Sequence, residues 1–585
     1  MITSHVPSAK EATEEPTDAT RHLCAGAYVD ERFRDLVIDE VCTAPHRRVA
    51  PSYGFDIVPV MRHAWRAAAL SASVRATVVG VAAFPAFTGA IPATVLMTCG
   101  LCLLWLFHVA MLFRGSDDEP RPRRRSERHG MRTAREHRSL LKLIFTWKFS
   151  GRIKYSEKAH AYRLIGAAAF TLVLTGLVTA AVYPDRVAEA LYLAGAIIGT
   201  CLTVGAARQL MLNRVMRAPD LRPKRLSRRQ RVADVQQRHV CAVYRRPQHS
   251  EDDEDLTRFT LFGEESPFIG AGELVYQWNP PMCIQLLRPG DDKESLDQLE
   301  HLEPPFEAYE LVDHLQDAVE QLNTDTGDVR LPARPSHRIY VAETDVAADR
   351  GLLPPRIDEA DMRLIINTPG CKQHHFLEIT SPIEGAEFVA IVLLHVSLRG
   401  RTLTISTAAC VLAHTPRSFQ RAAEFGQNGA IAVAWAAFRQ LSTLPAEIPR
   451  LWRIIRYLYA LSKAALLPRD LTSAPIRNVL IGTRISTREK ASQSWSKIQL
   501  EKTEILGRMK TIEQRLLAAA RDFLREKHID ISEFNDRALK IINSGIVNFG
   551  DNNNFSNNAV GDGAQAGGSG NQPASSTAQG SGGTK

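Results

Sequence analysis

The chain has 585 residues, 72 Lys and Arg against 64 Asp and Glu, and a formal net charge of +8. This length allows three or four domains, and the mean hydropathy of -0.16 averages strongly apolar blocks with a larger polar remainder. The nine cysteines are scattered along the chain, which predicts reduced thiols and argues against a disulfide framework.

Two apolar blocks, residues 65–113 and 164–207, are the most informative feature of the sequence. Residues 76–113 contain no charged side chain, whereas one membrane-spanning helix needs only about 20 apolar residues. Each block is therefore long enough to cross a bilayer twice. We predict two helical hairpins, with four transmembrane helices that turn near Gly89 and at Pro184.

Basic segments flank both hairpins and predict their orientation. Residues 114–163 hold 15 Lys and Arg against 6 Asp and Glu, and residues 208–246 hold 12 against 2. Short basic loops beside spans stay in the cytoplasm, so we predict a multi-pass protein of the plasma (inner) membrane with both termini cytoplasmic. Residues 1–18 are polar and show no secretory signal, so the first span is expected to direct insertion.

The same basic segments predict contact with anionic lipids. Residues 139–155 interleave apolar side chains with Lys and Arg, as in a segment that lies in the membrane interface. The general positive-inside bias is the simpler explanation of these charges. Nucleic acid is the least favoured partner, and we expect none.

Arg75 is an unusual ionisable residue within the first predicted span. Such a residue is costly in lipid and is a candidate functional residue by default. Its position near the cytoplasmic end favours a simpler interpretation, in which the long side chain extends to the headgroups. Cys99 and Cys102 have metal-ligand spacing but no second ligand pair, so we interpret them as small residues for helix packing.

Residues 256–414 show the pattern of a cytoplasmic α+β domain with an antiparallel sheet. Short apolar runs between Gly and Pro predict strands at residues 259–262, 283–287, 338–341, 363–366 and 374–380. An amphipathic helix is predicted at residues 307–322. The clearest element is a hairpin, residues 387–398 and 402–412, in which Gly400 can supply the positive φ of the turn.

The α+β domain shows no recognisable catalytic, cofactor or metal site. Residues 263–272 contain glycines but lack the Gly-Lys-Ser/Thr ending of a phosphate-binding loop. His374 and His375, near Glu378, lie on a predicted strand, where neighbouring side chains point to opposite faces. A catalytic triad built from residues far apart in the chain stays open.

Two helices are predicted in residues 415–470, at residues 417–441 and 451–466. The apolar stretch of the first is too short to span a membrane, which favours a helix buried by packing. The second carries three basic residues and is compatible with a helix on the membrane surface.

Residues 487–527 have a heptad rhythm. Apolar residues recur on one seam at Ile498, Ile505, Met509, Ile512, Leu516, Ala519 and Phe523. Lys502 interrupts this seam at a core position. The pattern predicts either a modest coiled coil, which would make a homo-oligomer, or a long helix packed on its own domain.

Residues 541–564 alternate apolar side chains with Asn and then turn at Gly-Asp. The core of this segment is Val547, Asn548, Phe549, Gly550, Asp551, Asn552 and Asn553. Stacked in register, it can form an apolar face and an Asn ladder. It resembles the receptor-interacting-protein homotypic interaction motif (RHIM) and its bacterial amyloid-signalling relatives, in which Val/Ile-Gln-Val/Ile-Gly precedes an Asp/Asn-rich turn. A second Gly-Asp begins at Gly561.

The resemblance implies templated self-assembly between a sensor and an effector in bacterial immunity or cell death. We therefore expect a non-enzymatic integral membrane protein that assembles through its coiled coil or tail and shares its motif with a sensor protein. The alternatives are a membrane-tethered enzyme or small-molecule sensor with a cytoplasmic pocket, and a channel or transporter subunit.

These features predict a multidomain membrane protein of ten segments. They are a cytoplasmic N-terminal segment (1–64), hairpin 1 (65–113), a basic loop (114–163), hairpin 2 (164–207), a basic then acidic linker (208–255), the α+β domain (256–414), a helical segment (415–470), a long helix or coiled coil (487–527), the RHIM-like motif (541–564) and a disordered Gly/Ser tail (565–585).

Overall fold

Long apolar helices form one half of the described chain, and a seven-stranded sheet with its covering helices forms the other. The structure is a computed structural model. It describes residues 16–115, 155–244, 268–290, 299–301, 303–324, 331–383, 385–425, 429–468, 470–472, 481–483, 485–498 and 501–543.

Among the described residues, four helices are long and apolar enough to cross a membrane. They are α3 (Ile57–Phe87), α4 (Ile91–Gly115), α5 (Tyr155–Val182) and α6 (Asp185–Arg217). The first turn lies at residues 88–90, where Gly89 has a φ of 77°, and the second lies at residues 183–184. The four apolar helices and their two turns are therefore confirmed. The helix α3 packs on α4, as the first predicted hairpin requires, whereas α5 packs mainly against α4 rather than α6, so the second predicted hairpin is not a packed pair.

The residues before the first span are helical and pack against it. They form α1 (Asp18–Val29), α2 (Glu31–Leu36) and a π-helical turn (Val37–Cys42). Asp30 begins α2 as an N-cap, because its carboxylate accepts the backbone N–H groups of Arg32 and Phe33. The apolar faces of these helices bury against the start of α3, together with α7 (Arg228–Arg238).

A mixed sheet forms the centre of the second half. Its strands are β1 (Cys241–Tyr244), β2 (Glu273–Gln277), β3 (Met282–Gln285), β4 (Arg334–Ala342), β5 (Gln373–Ile383), β6 (Phe388–Arg399) and β7 (Thr402–Leu412). The order is β1-β4-β5-β6-β7-β2, and β3 also pairs with β7. Strand β1 runs parallel to β4, whereas β4, β5, β6 and β7 pair antiparallel. The predicted antiparallel sheet was wrong at this edge, because β1 has only four residues and lies in the predicted linker.

Most predicted elements of the sheet domain are confirmed. They include the β6–β7 hairpin, in which Gly400 has a φ of 58°, and the amphipathic helix, α8 (Ala308–Thr324). The strand predicted at residues 363–366 was wrong. This segment belongs to α10 (Glu359–Asn367), where Met362 and Ile366 are buried one turn apart. The strand predicted at residues 259–262 lies outside the described residues.

Helices cover one face of the sheet and close the main core. They include α8, α9 (Glu343–Ala348), α10, α15 (Glu501–Glu526) and α16 (Ser532–Asn543). A short helix, α14 (Thr487–Ala491), precedes α15 and is separate from it.

The seam of α15 packs within its own domain. All seven seam residues, from Ile498 to Phe523, are buried in the core beneath the sheet. The Lys502 ammonium, which interrupts the seam, lies 5.2 Å from the centre of the Trp495 ring. The structure therefore shows a docked amphipathic helix, and a coiled coil is not confirmed.

Three further helices follow the sheet strands: α11 (Arg417–Phe425), α12 (Gly429–Glu447) and α13 (Arg453–Leu466). The single helix predicted at residues 417–441 was wrong, since Gly429 has a φ of 63° and an α-helix cannot continue through that conformation. A short 3-10 turn, Ile448–Arg450, joins α12 to α13.

Candidate functional site: a charged junction between the spans and the sheet domain

A cluster of ion pairs joins α2, α3 and the end of α12. The Nη2 atom of Arg75 lies 2.6 Å from Glu31 Oε1 and 2.8 Å from Glu447 Oε2. The Arg75 Nε also donates to Glu447 Oε2, at 2.9 Å. A single guanidinium therefore connects the N-terminal helices and the first span to the C-terminal half of the chain.

Other charged residues surround this centre. Together they form the junction cluster, defined as Glu31, Arg34, Asp35, Asp39, Arg75, Arg208, Glu447, Arg450, Arg453 and Arg456. Arg34 and Arg453 both contact the Glu31 carboxylate. Arg456 of α13 pairs with Asp35 at 3.2 Å and also with Asp39. These ion pairs thus hold α13 against α2.

Burial and charge act in opposite directions on the acidic residues of the cluster. Burial raises the pKa of Glu31, but the hydrogen bond and charge of Arg75, with the charges of Arg34 and Arg453, outweigh burial and lower this pKa to about 2. Burial also raises the pKa of Asp35, and here it outweighs the nearby arginines. Glu31 therefore stays ionised at neutral pH and binds the arginines as a permanent anion.

The position of Arg75 corrects the interpretation drawn from the sequence. Its side chain is 5% exposed, and it lies about 18 Å before the end of α3 at Phe87, at 1.5 Å per residue. The side chain is satisfied by two carboxylates of the protein, so extension to the lipid headgroups was the wrong expectation. This agrees with the rule that ionisable residues within spans face the protein and pair with one another.

A second junction links the N-terminal segment to the sheet domain. Arg488 is fully buried and donates hydrogen bonds to the backbone carbonyl oxygens of Tyr53, Ala386 and Glu387. Burial lowers the pKa of Arg488 to about 10, which still leaves the guanidinium charged at neutral pH. The Arg488 side chain therefore connects the residues before the first span to the β5–β6 turn.

Two further contacts strengthen this second junction. The Glu387 carboxylate accepts from the Thr415 backbone N–H at 3.0 Å and lies 2.6 Å from His22 Nδ1. On the sheet itself, Tyr53 donates to Glu378 Oε2 at 2.8 Å, and the Arg338 Nε donates to the same oxygen at 3.0 Å. The N-terminal segment is therefore tied to both the sheet and the spans.

Two histidines of the sheet form a pair, of which His375 is buried and His337 is half-buried. His337 Nδ1 lies 3.0 Å from His375 Nε2, and burial lowers the pKa of both rings. His374 is exposed on the opposite side of β5, as the strand alternation predicted. Among the described residues, no group of three His, Cys, Asp or Glu side chains could hold a metal ion. This pair is placed to affect stability in acid.

The structure brings together residues that the sequence did not connect. The sequence patterns do not identify Glu31, Glu447 or Arg488. A signal toward Glu31 and Glu447 is that a buried arginine such as Arg75 needs a carboxylate partner; this signal does not extend to Arg488. The self-assembly residues Val547, Asn548, Phe549, Gly550, Asp551, Asn552 and Asn553 lie outside the described residues. Cys99 is buried and Cys102 exposed, so their thiols do not share one environment.

Comparison with known families adds one finding. Residues 277–556 match the AbeC-like domain. The match supports a bacterial, defence-related protein. It includes the strands β3 to β7, the helices α8 to α16, and residues 544–556, which contain the core of the RHIM-like motif. No curated protein and no solved structure matches the chain.

The AbeC-like region supplies one side of the junction cluster. Glu447, Arg450, Arg453 and Arg456 lie inside the matched residues, whereas Glu31 lies outside them, as do Arg75 and the four apolar helices. The junction cluster is therefore one of the places where the AbeC-like region contacts the spans.

Proposed function

We propose that this protein is a bacterial defence effector of the plasma membrane, whose AbeC-like region controls the permeability that the spans impose on the bilayer. The observation that carries this proposal is the ion pairing of Glu447 with Arg75, at 2.8 Å. Through this ion pair, a movement of the AbeC-like region would directly displace the first span. The protein acts without catalysis in this proposal, and its output is membrane damage.

Self-assembly of residues 541–564 is the proposed trigger. The AbeC-like match extends to residue 556, which supports treating Val547 to Asn553 as part of the matched family region and not as an accidental low-complexity sequence. A sensor protein with the same motif would template the assembly, and the assembled tails would gather several copies of the spans. Homo-oligomers would then form through the tail, since the α15 seam is buried.

The proposed topology follows from the basic segments. Residues 114–163 and 208–246 face the cytoplasm and its anionic lipids, both termini are cytoplasmic, and nucleic acid has no part. In this arrangement the tail, the AbeC-like region and the N-terminal helices share one compartment, where a cytoplasmic sensor can reach them.

Controlled expression in a bacterium tests the proposal. The full chain is compared with a variant that lacks residues 541–585, and with Gly550→Pro against Gly568→Pro as a matched control in the Gly/Ser tail. A proline in a stacked strand removes a ladder hydrogen bond. We expect the full chain and Gly568→Pro to collapse the membrane potential, read with a potential-sensitive dye, and Gly550→Pro and the deletion to leave it intact.

The same experiment separates the alternatives. Arrest of growth with an intact membrane potential would contradict the proposal and favour a membrane-tethered enzyme. Collapse that persists without the tail would favour a constitutive channel. A synthetic peptide of residues 541–564 is expected to form fibrils that bind thioflavin, and Val547→Asp is expected to prevent them. A peptide that stays monomeric would contradict the proposal that self-assembly of residues 541–564 is the trigger.

A further inference from the structure

The hairpin formed by α12 and α13 has the polarity of a membrane protein rather than that of a soluble one. Most of its outward-facing large side chains are apolar or aromatic: Ile431, Trp435, Phe438, Trp452, Ile455, Leu458 and Tyr459. Its arginines at the turn and the start of α13 point inward instead, to the carboxylates of the junction cluster. A helix in water shows the opposite arrangement, with apolar residues inside and charges outside.

Close packing places α12 directly against the span α6. A Cβ added at Gly205 would lie 2.7 Å from the Ala436 carbonyl oxygen and 2.8 Å from the Ala437 Cα. The two helices therefore meet backbone to backbone at this glycine, as helices do in membranes where small residues allow close approach.

The hairpin descends along α6 towards the middle of the span. Leu444 is buried with Ile197, Cys201 and Val204 of α6, whereas Gly205 meets residues 436–437. The two helices are therefore antiparallel, and the turn at Ile448–Arg450 lies deepest. The α13 helix then returns, since Tyr457 packs its ring 6.3 Å from that of Trp65 and Ala460 reaches the cluster beneath α1 and α2.

Three hydroxyl groups of the hairpin donate to its own backbone. The hydroxyls of Ser442 and Thr443 donate to the carbonyl oxygens of Arg439 and Gln440, at 2.7 and 2.8 Å. The Ser462 hydroxyl donates in the same way to Tyr459, at 2.8 Å. Such bonds remove the cost of placing a hydroxyl in lipid. The exposed Arg439 is long enough to reach the headgroups from this helix.

We propose that the hairpin Gly429–Leu466 is a re-entrant membrane element whose outer face contacts the lipid bilayer. Continuity with the spans selects lipid over a protein partner, because the inner face of the hairpin shares one buried cluster with α3, α4 and α6, so its outer face continues the apolar surface of the spans. Trp435 and Tyr459, which lie far from the turn, suit the boundary between headgroups and acyl chains, where aromatic rings with a polar group accumulate. The AbeC-like region then enters the membrane itself, independently of the function proposed above.

Photocrosslinking of the full chain in native membranes tests this inference. A benzophenone amino acid replaces Phe438 or Trp452, both of which are exposed aromatics, so the substitution preserves the shape of the site. The same group at Phe170, exposed on the span α5, is the lipid-contacting control. The benzophenone amino acid in place of Leu364, which is 68% exposed on α10 of the sheet domain, is the control for a position in water.

Lipid adducts are then measured by mass spectrometry. We expect positions 438 and 452 to match position 170 and to give on the order of tenfold more lipid adduct than position 364, since acyl chains are absent from the aqueous side. Lipid adducts at 170 but only background at 438 and 452 would overturn the inference. Adducts to a second copy of the chain or to another protein at 438 and 452 would overturn it as well, because they would give this face a protein partner.

Discussion

Replacing Arg75 with methionine removes the centre of the junction cluster while keeping most of the side-chain volume. Two carboxylates, Glu31 and Glu447, lose a partner at 2.6 and 2.8 Å. Arg34, Arg450 and Arg453 stay near Glu31 and partly compensate its charge. The variant therefore reports how much the central guanidinium contributes to holding α2, α3 and α12 together.

The magnitude follows from the pKa of Glu31 and from the burial of the pair. Burial alone would raise this pKa, yet it falls from 4.5 to about 2, which corresponds to about 3 kcal/mol shared among the arginines. Solvent at the partly exposed carboxylate reduces this figure. The second contact of Arg75, with Glu447, adds to this free energy of interaction. Removing one partner of a buried pair costs about 3 kcal/mol or more, so we expect Arg75→Met to destabilise the protein by about 3 kcal/mol.

Thermal unfolding in detergent micelles, followed by fluorescence-detected size exclusion, measures this effect. Arg186→Met is the matched control, because Arg186 pairs with Glu189 at the second turn of the spans with both side chains nearly half exposed, and such pairs contribute about 1 kcal/mol or less. We expect the midpoint to fall by several degrees for Arg75→Met and hardly at all for the control. Equal midpoints for the two variants would refute the role of the cluster.

Three other perturbations test separate parts of the structure. Gly205→Ala is expected to push α12 away from α6 and to lower the free energy of unfolding by about 1–3 kcal/mol. Gly199→Ala is the control and is expected to be neutral, because nothing lies within 4 Å of the added Cβ. The same thermal assay compares the two variants. Arg488→Met is expected to cost about 3 kcal/mol or more, since three buried carbonyl oxygens lose their donor, and limited proteolysis of the N-terminal segment should then accelerate. Burial holds the pKa of His375 well below the 6.5 of the unfolded chain, so the unfolded state binds the proton first and stability falls as the pH drops below 6.5. A pH series of thermal midpoints should show this loss, and His375→Leu should reduce it.

Local patterns were sufficient to predict the spans and most of the sheet. The apolar blocks and their turns at Gly89 and Pro184 depend on neighbours in sequence, and so does the β6–β7 hairpin around Gly400. The strand predicted at residues 363–366 was wrong because four residues are too few to separate a period of two from one of 3.6. Met362 and Ile366 supply the helical spacing.

Long-range contacts could not be predicted in this way. The heptad seam of α15 shows that one face must be buried, but not whether a second chain or the sheet buries it. Likewise, the sequence favoured extension of Arg75 to the headgroups, and even a search for a carboxylate partner would have met 64 acidic residues. Glu31 and Glu447 come from opposite halves of the chain, and only the fold brings them to Arg75. The role of residues 16–56 as the link between sheet and spans has the same origin.

Efflux from liposomes tests the central claim most directly. The purified full chain is reconstituted with a trapped dye, and preformed fibrils of the 541–564 peptide are added as the trigger. We predict that fibrils release the dye from vesicles with the full chain, and that vesicles with a chain lacking residues 541–585 retain it. Retention of the dye by the full chain after fibrils are added, or equal release with and without the tail, would contradict the account.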